Sequence, residues 1–311
     1  MIVTVTPNTG IDLTLLVPEF SLDKTIRASA SALGMGGKAT DVSWILGRLG
    51  EPNLALGFAA GETGKQMVKM LEERGSATKF VRAGGESRRN TIIIAQDGSG
   101  QSTFTVSTLE VSSRQLKRFY KVFQDSLDQA TCLVLGGSLP RGVPTTIFKN
   151  LIEIAHERSI PVLLDASGPG LIAGLQARPD LIKPNRVELE EITGRPIQSR
   201  EALYQAARQI QQETGVNVIA TMGRQGAFAV FADQCFWIPR LNLKVVSAAG
   251  AGDGVLAGMA VAYAQKKPVE EGLRLGFALA NAVLLTLPTA DFNPADLNRL
   301  YPLIDLTSVP Q

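Results

Sequence analysis

The chain has 311 residues, 45% of them hydrophobic and 19% charged, and its 31 basic side chains nearly cancel 29 acidic ones for a formal charge of +2. That composition is globular rather than disordered or fibrous, and the length suits one large α/β domain with a small satellite. The charge balance offers no field for nucleic acid or a membrane surface, so any anion binding has to be local.

The opening MIVTVTPN reads as a strand and lacks the basic and apolar segments of a secretory signal. Residues 12–33 then alternate like a strand with little helical signal. Residues 34–41, GMGGKATD, place Lys38 and Asp41 on a glycine-rich loop ahead of a helix. NLALGFA reads as a strand and TGKQMVKMLEERG as a helix. Residues 91–107, TIIIAQDGSGQSTFTVS, read as two strands joined across Asp97 to Gly100, a hairpin turn. With no helix between their strands, 12–33 and 91–107 form either a small antiparallel sheet standing off the main domain or a pair of edge hairpins on it.

From there CLVLGGS, IPVLLDAS, LIKPN, VNVIATMG and GAFAVFA read as strands, spaced by helical segments such as TTIFKNLIEIAHERS and REALYQAARQIQQETG. Such alternation predicts βαβ units in a mostly parallel sheet covered on both faces, with ligands at the C-terminal strand ends. No apolar run reaches the ~18 residues of a membrane span. The two cysteines, Cys132 and Cys235, match no zinc or redox spacing and point to a reducing cytoplasm. The single histidine, His156, lies in a helical stretch and excludes a histidine-based triad or zinc cluster.

The sharpest motif is SAAGAGDGVLAGMA, residues 247–260, where Gly250, Ala251 and Gly252 lead into an apolar segment rich in small residues. Glycines there let backbone N–H groups close on an anion at the positive end of a helix. Asp253, at the mouth of that turn, is either a base for an attacking hydroxyl or an ordinary helix N-cap. In KPNRVELE, Asn185 and Glu188 could hold magnesium directly or through water, or could form a capping box, or both. TMGRQGA, with Thr221, Gly223 and Gly226, is either a loop that approaches nucleotide phosphates or a plain hairpin turn. GGSLPRG places Ser138 on a flexible loop at a strand's C-terminal end. Gly34, Gly36 and Ala39 match the permissive dinucleotide fingerprint, but ASASAL is a poor buried strand and no acidic residue ends a second strand about 20 residues on. Gly64-Lys65 lacks the remainder of a P-loop.

Taken in order, these motifs resemble the PfkB/ribokinase family of carbohydrate kinases over nearly the whole chain. GAGD stands at the family's C-terminal signature, GGK with Gly37 and Lys38 at its N-terminal one, and KPN-x-x-E and GSLP-x-G between them. The resemblance implies a three-layer α/β/α ribokinase-like fold spanning residues 1–311. It also implies a β-sheet lid from about 12–33 and 91–107, which can form a homodimer interface. It implies ATP and Mg2+ as donor and metal, a small sugar or sugar phosphate as acceptor, and no nucleic-acid or membrane partner. Asp253 becomes the base and residues 250–252 the anion hole. Asn185 and Glu188 organise magnesium, and Lys183, Asn185, Thr221, Gly223, Gly226 and Asn281 lie along the nucleotide. Asp12 grips sugar hydroxyls.

Within the family the chain is most similar to the phosphosugar branch, through its TPN…ID opening, Arg27, SRRN and GSLPRG. Arg88 would then bind the substrate's own phosphate with Ser138, Lys38 and Arg27, as a dianion requires fixed cations. On the residues alone, Arg88 and Arg89 could equally be a solvated strand end, and Lys24 and Arg27 edge-strand gatekeepers. Three positions depart from the branch. GGKATD carries Ala39 for a glycine and Asp41 for an asparagine, and Gly254 stands where serine is common. Aspartate accepts hydrogen bonds without donating them, which predicts a shifted sugar preference. The competing readings are a kinase of a neutral sugar or nucleoside, a catalytically silent sensor of sugars or nucleotides, and an NAD-dependent dehydrogenase.

Overall fold

Period-two alternation in the buried strands fills two cores at once. In Ile2–Thr6, Val3 and Val5 pack to one side with Leu54, Leu56, Leu133 and Leu135, while Ile2 joins Cys132, Val134 and Leu163 on the other. The computed structural model describes residues 1–310. Its ten-stranded sheet runs, in spatial order, Thr307–Val309, Cys235–Ile238, Ala227–Val230, Asn217–Thr221, Leu181–Ile182, Val162–Ala166, Cys132–Gly137, Ile2–Thr6, Asn53–Ala59 and Ala77–Arg82. From Ala77–Arg82 to Asn217–Thr221 every pairing is parallel, and the last three strands are added antiparallel.

Helices cover both faces. Ser113–Ser126, Ile147–His156 and Arg200–Thr214 bury Phe119, Phe123, Leu151 and Leu203 in one core. Lys38–Leu49, Ala251–Gln265 and Val269–Val283 bury Ile45, Leu256 and Leu279 in the other. The last two approach so closely that a Cβ on Gly258 would lie 2.1 Å from the Gly276 nitrogen. The same contact accounts for Gly254. A Cβ there would lie 2.7 Å from the Ala280 nitrogen, so this departure from serine reflects helix packing.

A second, four-stranded sheet orders Ala30–Gly36, Gly10–Val17, Arg88–Ala95 and Gly100–Phe104. It is separate from the ten-stranded sheet, which rules out edge hairpins. It is not wholly antiparallel, as Gly10–Val17 and Arg88–Ala95 run parallel. The chain between them passes through the large sheet, so no hairpin turn fixes their direction. Residues 18–29 contain no strand. Five strands escape a sequence reading: Ala77–Arg82, Cys235–Ile238 and Thr307–Val309 of the large sheet, and Gly84–Gly85 and Leu109–Glu110, which pair with each other. Of LIKPN only Leu181–Ile182 forms a strand, while Asn185 makes a single parallel bridge to Thr221.

Candidate active site

The Ala251–Gln265 helix opens on Gly250, whose φ of 81° is left-handed and whose absent Cβ would lie 2.4 Å from the Ala290 nitrogen. Only glycine meets both conditions. The first turn of a helix leaves N–H groups without intrahelical acceptors, so this end offers donors and positive potential to an anion. Asp253 is not its cap. Gly250 holds that position, no side chain caps the helix, and Asp253 stands within the first turn, buried. Burial first, then the neighbouring Asp165 carboxylate, raises Asp253 to about 7 against the pull of Lys183 and Lys38. A carboxylate poised near neutrality beside an anion-binding helix end can accept a proton from a hydroxyl.

Two lysines brace the neighbouring Asp165 carboxylate. Lys183 Nζ pairs with Asp165 Oδ2 at 2.9 Å and lies 3.0 Å from where a Gly252 Cβ would stand, so Gly252 gives the ammonium room beside the helix N-terminus. Lys38 Nζ donates to Asp165 Oδ1 at 2.5 Å and to Glu188 Oε1 at 2.8 Å. Burial would raise Asp165, but Lys183 and Lys38 outweigh it and hold it below the usual carboxylate range. Gly37, at φ 106°, starts the helix that carries Lys38.

Asn185 and Glu188 do form the capping box. Asn185 Oδ1 accepts from the Glu188 N–H at 3.0 Å, and Glu188 Oε2 accepts from the Asn185 N–H at 2.9 Å. Since Lys38 occupies Oε1, no bare oxygen cage stands ready, and no cluster of three or more metal-ligating side chains exists among the described residues. This donor set suits a hard ion that keeps most of its waters and takes its other ligands from phosphates, as magnesium does.

The small sheet contributes the opposite wall. Asp12 and Asn90 are register partners, and Asn90 Nδ2 donates to Asp12 Oδ1 at 2.7 Å while Thr289 Oγ1 donates to Oδ2 at 3.0 Å. Burial lifts Asp12 above the usual range, opposed by those two bonds and by Arg88. Asn8 Nδ2 and Arg88 Nη1 both donate to Ser138 Oγ, at 3.0 Å and 3.4 Å. Asp41 is buried, and after burial the Asp253 and Asp12 carboxylates raise it well above the usual range. The small sheet reaches further: the Ala248 N–H donates to Gln101 Oε1 at 3.1 Å, next to the glycine turn.

Hydrogen bonds, ion pairs and charge interactions therefore link Asp12, Lys38, Asp41, Arg88, Ser138, Lys183, Glu188 and Asp253 into one cluster. Arg27 does not join it: it is exposed in the 18–29 segment, near Lys24 and Asp97. Thr221 follows the Asn185 turn, its N–H donating to the Pro184 carbonyl at 3.0 Å. Gly223 and Gly226 make a tight hairpin with φ 52° and 100°. Asn281 Nδ2 donates to its own helix at Phe277 O, 2.7 Å away. Sequence reasoning missed Asp165, Asn90, Asn8 and Thr289. Asp165 carried a signal as an acid ending the apolar strand VLLDA, and Asn8 and Asn90 lie within the TPN and SRRN segments, whereas Thr289 carried none.

Residues 3–296 match the pattern of the pfkB family carbohydrate kinases. A 1-phosphofructokinase of Bacillus subtilis (strain 168) is 30% identical over 309 residues, covering 99% of both chains. The crystal structure of phosphofructokinase-2 from Escherichia coli in complex with fructose-6-phosphate superposes with a TM-score of 0.86 at 26% identity, covering 97% of this chain and 98% of that one. A possible 1-phosphofructokinase from Thermotoga maritima, 23% identical with a TM-score of 0.88 over 100% of both chains, shares the fold. Fold and kinship together define a phosphotransferase whose acceptor is an alcohol. The chain belongs to the PfkB family of carbohydrate kinases.

Proposed function

We propose that this chain transfers the terminal phosphoryl group of ATP to a hydroxyl of a sugar phosphate of the fructose 1-phosphate, fructose 6-phosphate or tagatose 6-phosphate class. The observation that carries the reading is one cluster that joins a buried carboxyl titrating near 7 in the first turn of a helix to Asp12 and the Arg88–Ser138 pair. Asp253 takes the hydroxyl proton, the oxygen attacks the γ-phosphorus in line, and the 250–253 backbone meets the charge that develops. Lys183 adds a cation at that spot. Asp12 holds sugar hydroxyls, and Arg88 with Ser138 holds the phosphate already on the sugar. Magnesium would be held through Glu188 and Asn185 with intervening water, and when bound it neutralises phosphate charge.

The whole chain acts as one kinase domain in this reading, with the small sheet as a lid over the cluster. Phe20, Leu22, Leu33, Phe104 and Val106 are exposed on and around that sheet, which supports a homodimer through it. Both cysteines are free and buried, which suits a reducing cytoplasm. No helix among the described residues is long and apolar enough to cross a membrane.

The test is ADP release with fructose 1-phosphate, fructose 6-phosphate, tagatose 6-phosphate and their unphosphorylated sugars, for wild type and Arg88→Ala. Loss of a charge-assisted contact should cut kcat/KM for the sugar phosphate about tenfold to a hundredfold. Turnover of neutral sugars that ignores Arg88→Ala would overturn the sugar-phosphate assignment.

A further inference from the structure

Residues 289–291 meet three parts of the molecule in succession. Thr289 donates to Asp12 Oδ2, and its nitrogen lies 2.4 Å from where a Cβ on Gly34 would stand. Ala290 donates to the Ala249 carbonyl and packs on Gly250. Asp291 Oδ1 accepts from the Phe292 N–H at 2.8 Å and stands 2.7 Å from Arg74 Nη2. The middle residue is strained. Ala290 is wholly buried with φ 54°, a left-handed conformation that a residue with a Cβ rarely adopts. Such backbone persists only where its surroundings over-determine it.

Arg74 is placed to supply that constraint. It is the C-cap of the Gly61–Glu73 helix, and a Cβ on Gly47 would lie 2.7 Å from its carbonyl oxygen, so its main chain is fixed against the Lys38–Leu49 helix. Its guanidinium carbon lies 3.7 Å from the centre of the Trp44 ring on that same helix. The Arg74 and Asp291 side chains are 13% and 24% exposed, so salt and water screen the pair little. Yet Arg74 Nε and Trp44 Nε1 are buried donors without a hydrogen-bond partner among the described residues. An ion pair so placed is a poor source of stability, because apolar side chains of similar volume would serve as well or better. What the charged, stacked pair adds is direction. It fixes where Asp291 stands, and the two residues before it are the ones that meet Asp12 and Gly250.

We propose that Arg74 is a positioning residue for the reaction: through Asp291 it holds the strained 289–291 segment, and so sets Asp12 and the Gly250 turn at the spacing that sugar and phosphoryl group require. Arg74 acts on no reactant directly. The proposal rests on the sugar-phosphate kinase reading and adds to it a residue that none of the sequence motifs contains.

The experiment measures ADP release and thermal unfolding of the full chain for wild type, Arg74→Met, Asp291→Asn, the double variant and Arg74→Lys. The acceptor is whichever of fructose 1-phosphate, fructose 6-phosphate and tagatose 6-phosphate wild type turns over. Arg74→Met and Asp291→Asn should each raise KM for the sugar phosphate and lower kcat, cutting kcat/KM about tenfold to a hundredfold, the scale of a displacement near 1 Å at the reacting groups. KM for ATP should stay within about twofold, because the contacts of residues 289–291 run to Asp12, Gly34, Ala249 and Gly250 rather than to Thr221, Gly223 or Gly226. The double variant should lose no more than the worse single one, since both break one link. Its Tm should lie within about 4 °C of wild type, because no charge is left unpaired. Arg74→Lys, which keeps the charge, should recover most of the sugar-phosphate KM. A pair that only supports the fold would instead lower Tm and reduce kcat through a smaller folded fraction, with both KM values unchanged. That pattern overturns the proposal, as do losses that multiply in the double variant. Should Arg74→Met not fold, Asp291→Asn, which is nearly isosteric, and Arg74→Lys carry the same comparison. An active wild type matched by its variants overturns this proposal alone. A wild type that turns over neutral sugars and no phosphorylated one overturns the kinase reading, and this proposal with it.

Discussion

Replacing Asp253 with asparagine should make the protein inactive and more stable at once. Its carboxyl titrates near 7 in the folded chain against 3.8 when unperturbed, burial being the main cause and Asp165 the next. The folded state thus holds this proton more tightly than the unfolded one. The stability this group contributes is fully present below about pH 4 and is lost as pH rises to about 7. A shift of roughly 3 units at 1.36 kcal/mol each makes the loss about 4 kcal/mol. Asparagine is neutral at every pH and avoids it. Asp253→Asn should exceed wild type by about 4 kcal/mol at pH 8, by clearly less at pH 5 and by little near pH 4. For a chain of this length the gain at pH 8 is about 6 °C in Tm. Turnover should drop at least about a hundredfold with the base removed. Urea unfolding across pH 5 to 8, run beside the turnover assay, measures both. A variant no more stable than wild type at pH 8, or one whose advantage does not shrink towards pH 5, would refute the account of Asp253 as a buried, ionisable base.

Other consequences are as direct. Wild-type kcat should rise with pH through about 7 and then level, since the base must be deprotonated to act. Asp165→Asn removes the neighbouring charge that raises Asp253 and frees Lys38 and Lys183 to act on it, so the acidic limb should move to lower pH; an unmoved limb would detach Asp165 from the base. Gly250→Ala meets a left-handed φ of 81° and the Ala290 nitrogen at 2.4 Å, whereas Gly98→Ala meets a similar φ of 84° in open space. Both should lose about 1–2 kcal/mol to backbone strain in urea unfolding. Only Gly250→Ala should lose further stability to that close contact, and turnover with it.

The sequence made legible whatever is decided over a few residues. Strand alternation foretold the sheet, and Asn185 and Glu188, three apart, foretold their capping box because both partners lie in one turn. Asp253 misled at that scale. Its neighbours suit a cap, yet Gly250 takes that place because the Ala290 backbone, distant in sequence, lies against it. The bonds on Asp12 come from residues 78 and 277 positions away, so no local pattern could supply them. Arg27 read as a substrate ligand by position in the motif order, but the 18–29 segment that carries it forms no strand and leaves it exposed away from the cluster. Ala77–Arg82 was hidden by its alternating exposed and half-buried pattern at the sheet edge, which gives little apolar signal.

The bond from Thr289 to Asp12 also bears on how the protein comes into being. Ala290, next along, donates to the Ala249 carbonyl and packs on Gly250, so one short segment fastens Asp12 of the small sheet to the Gly250 turn. On the ribosome, Asp12 emerges early and waits for 277 further residues before that fastening can form. An unfinished chain can bury much of its sheet, but it cannot complete the cluster. A chain cut short before Thr289 lacks both contacts.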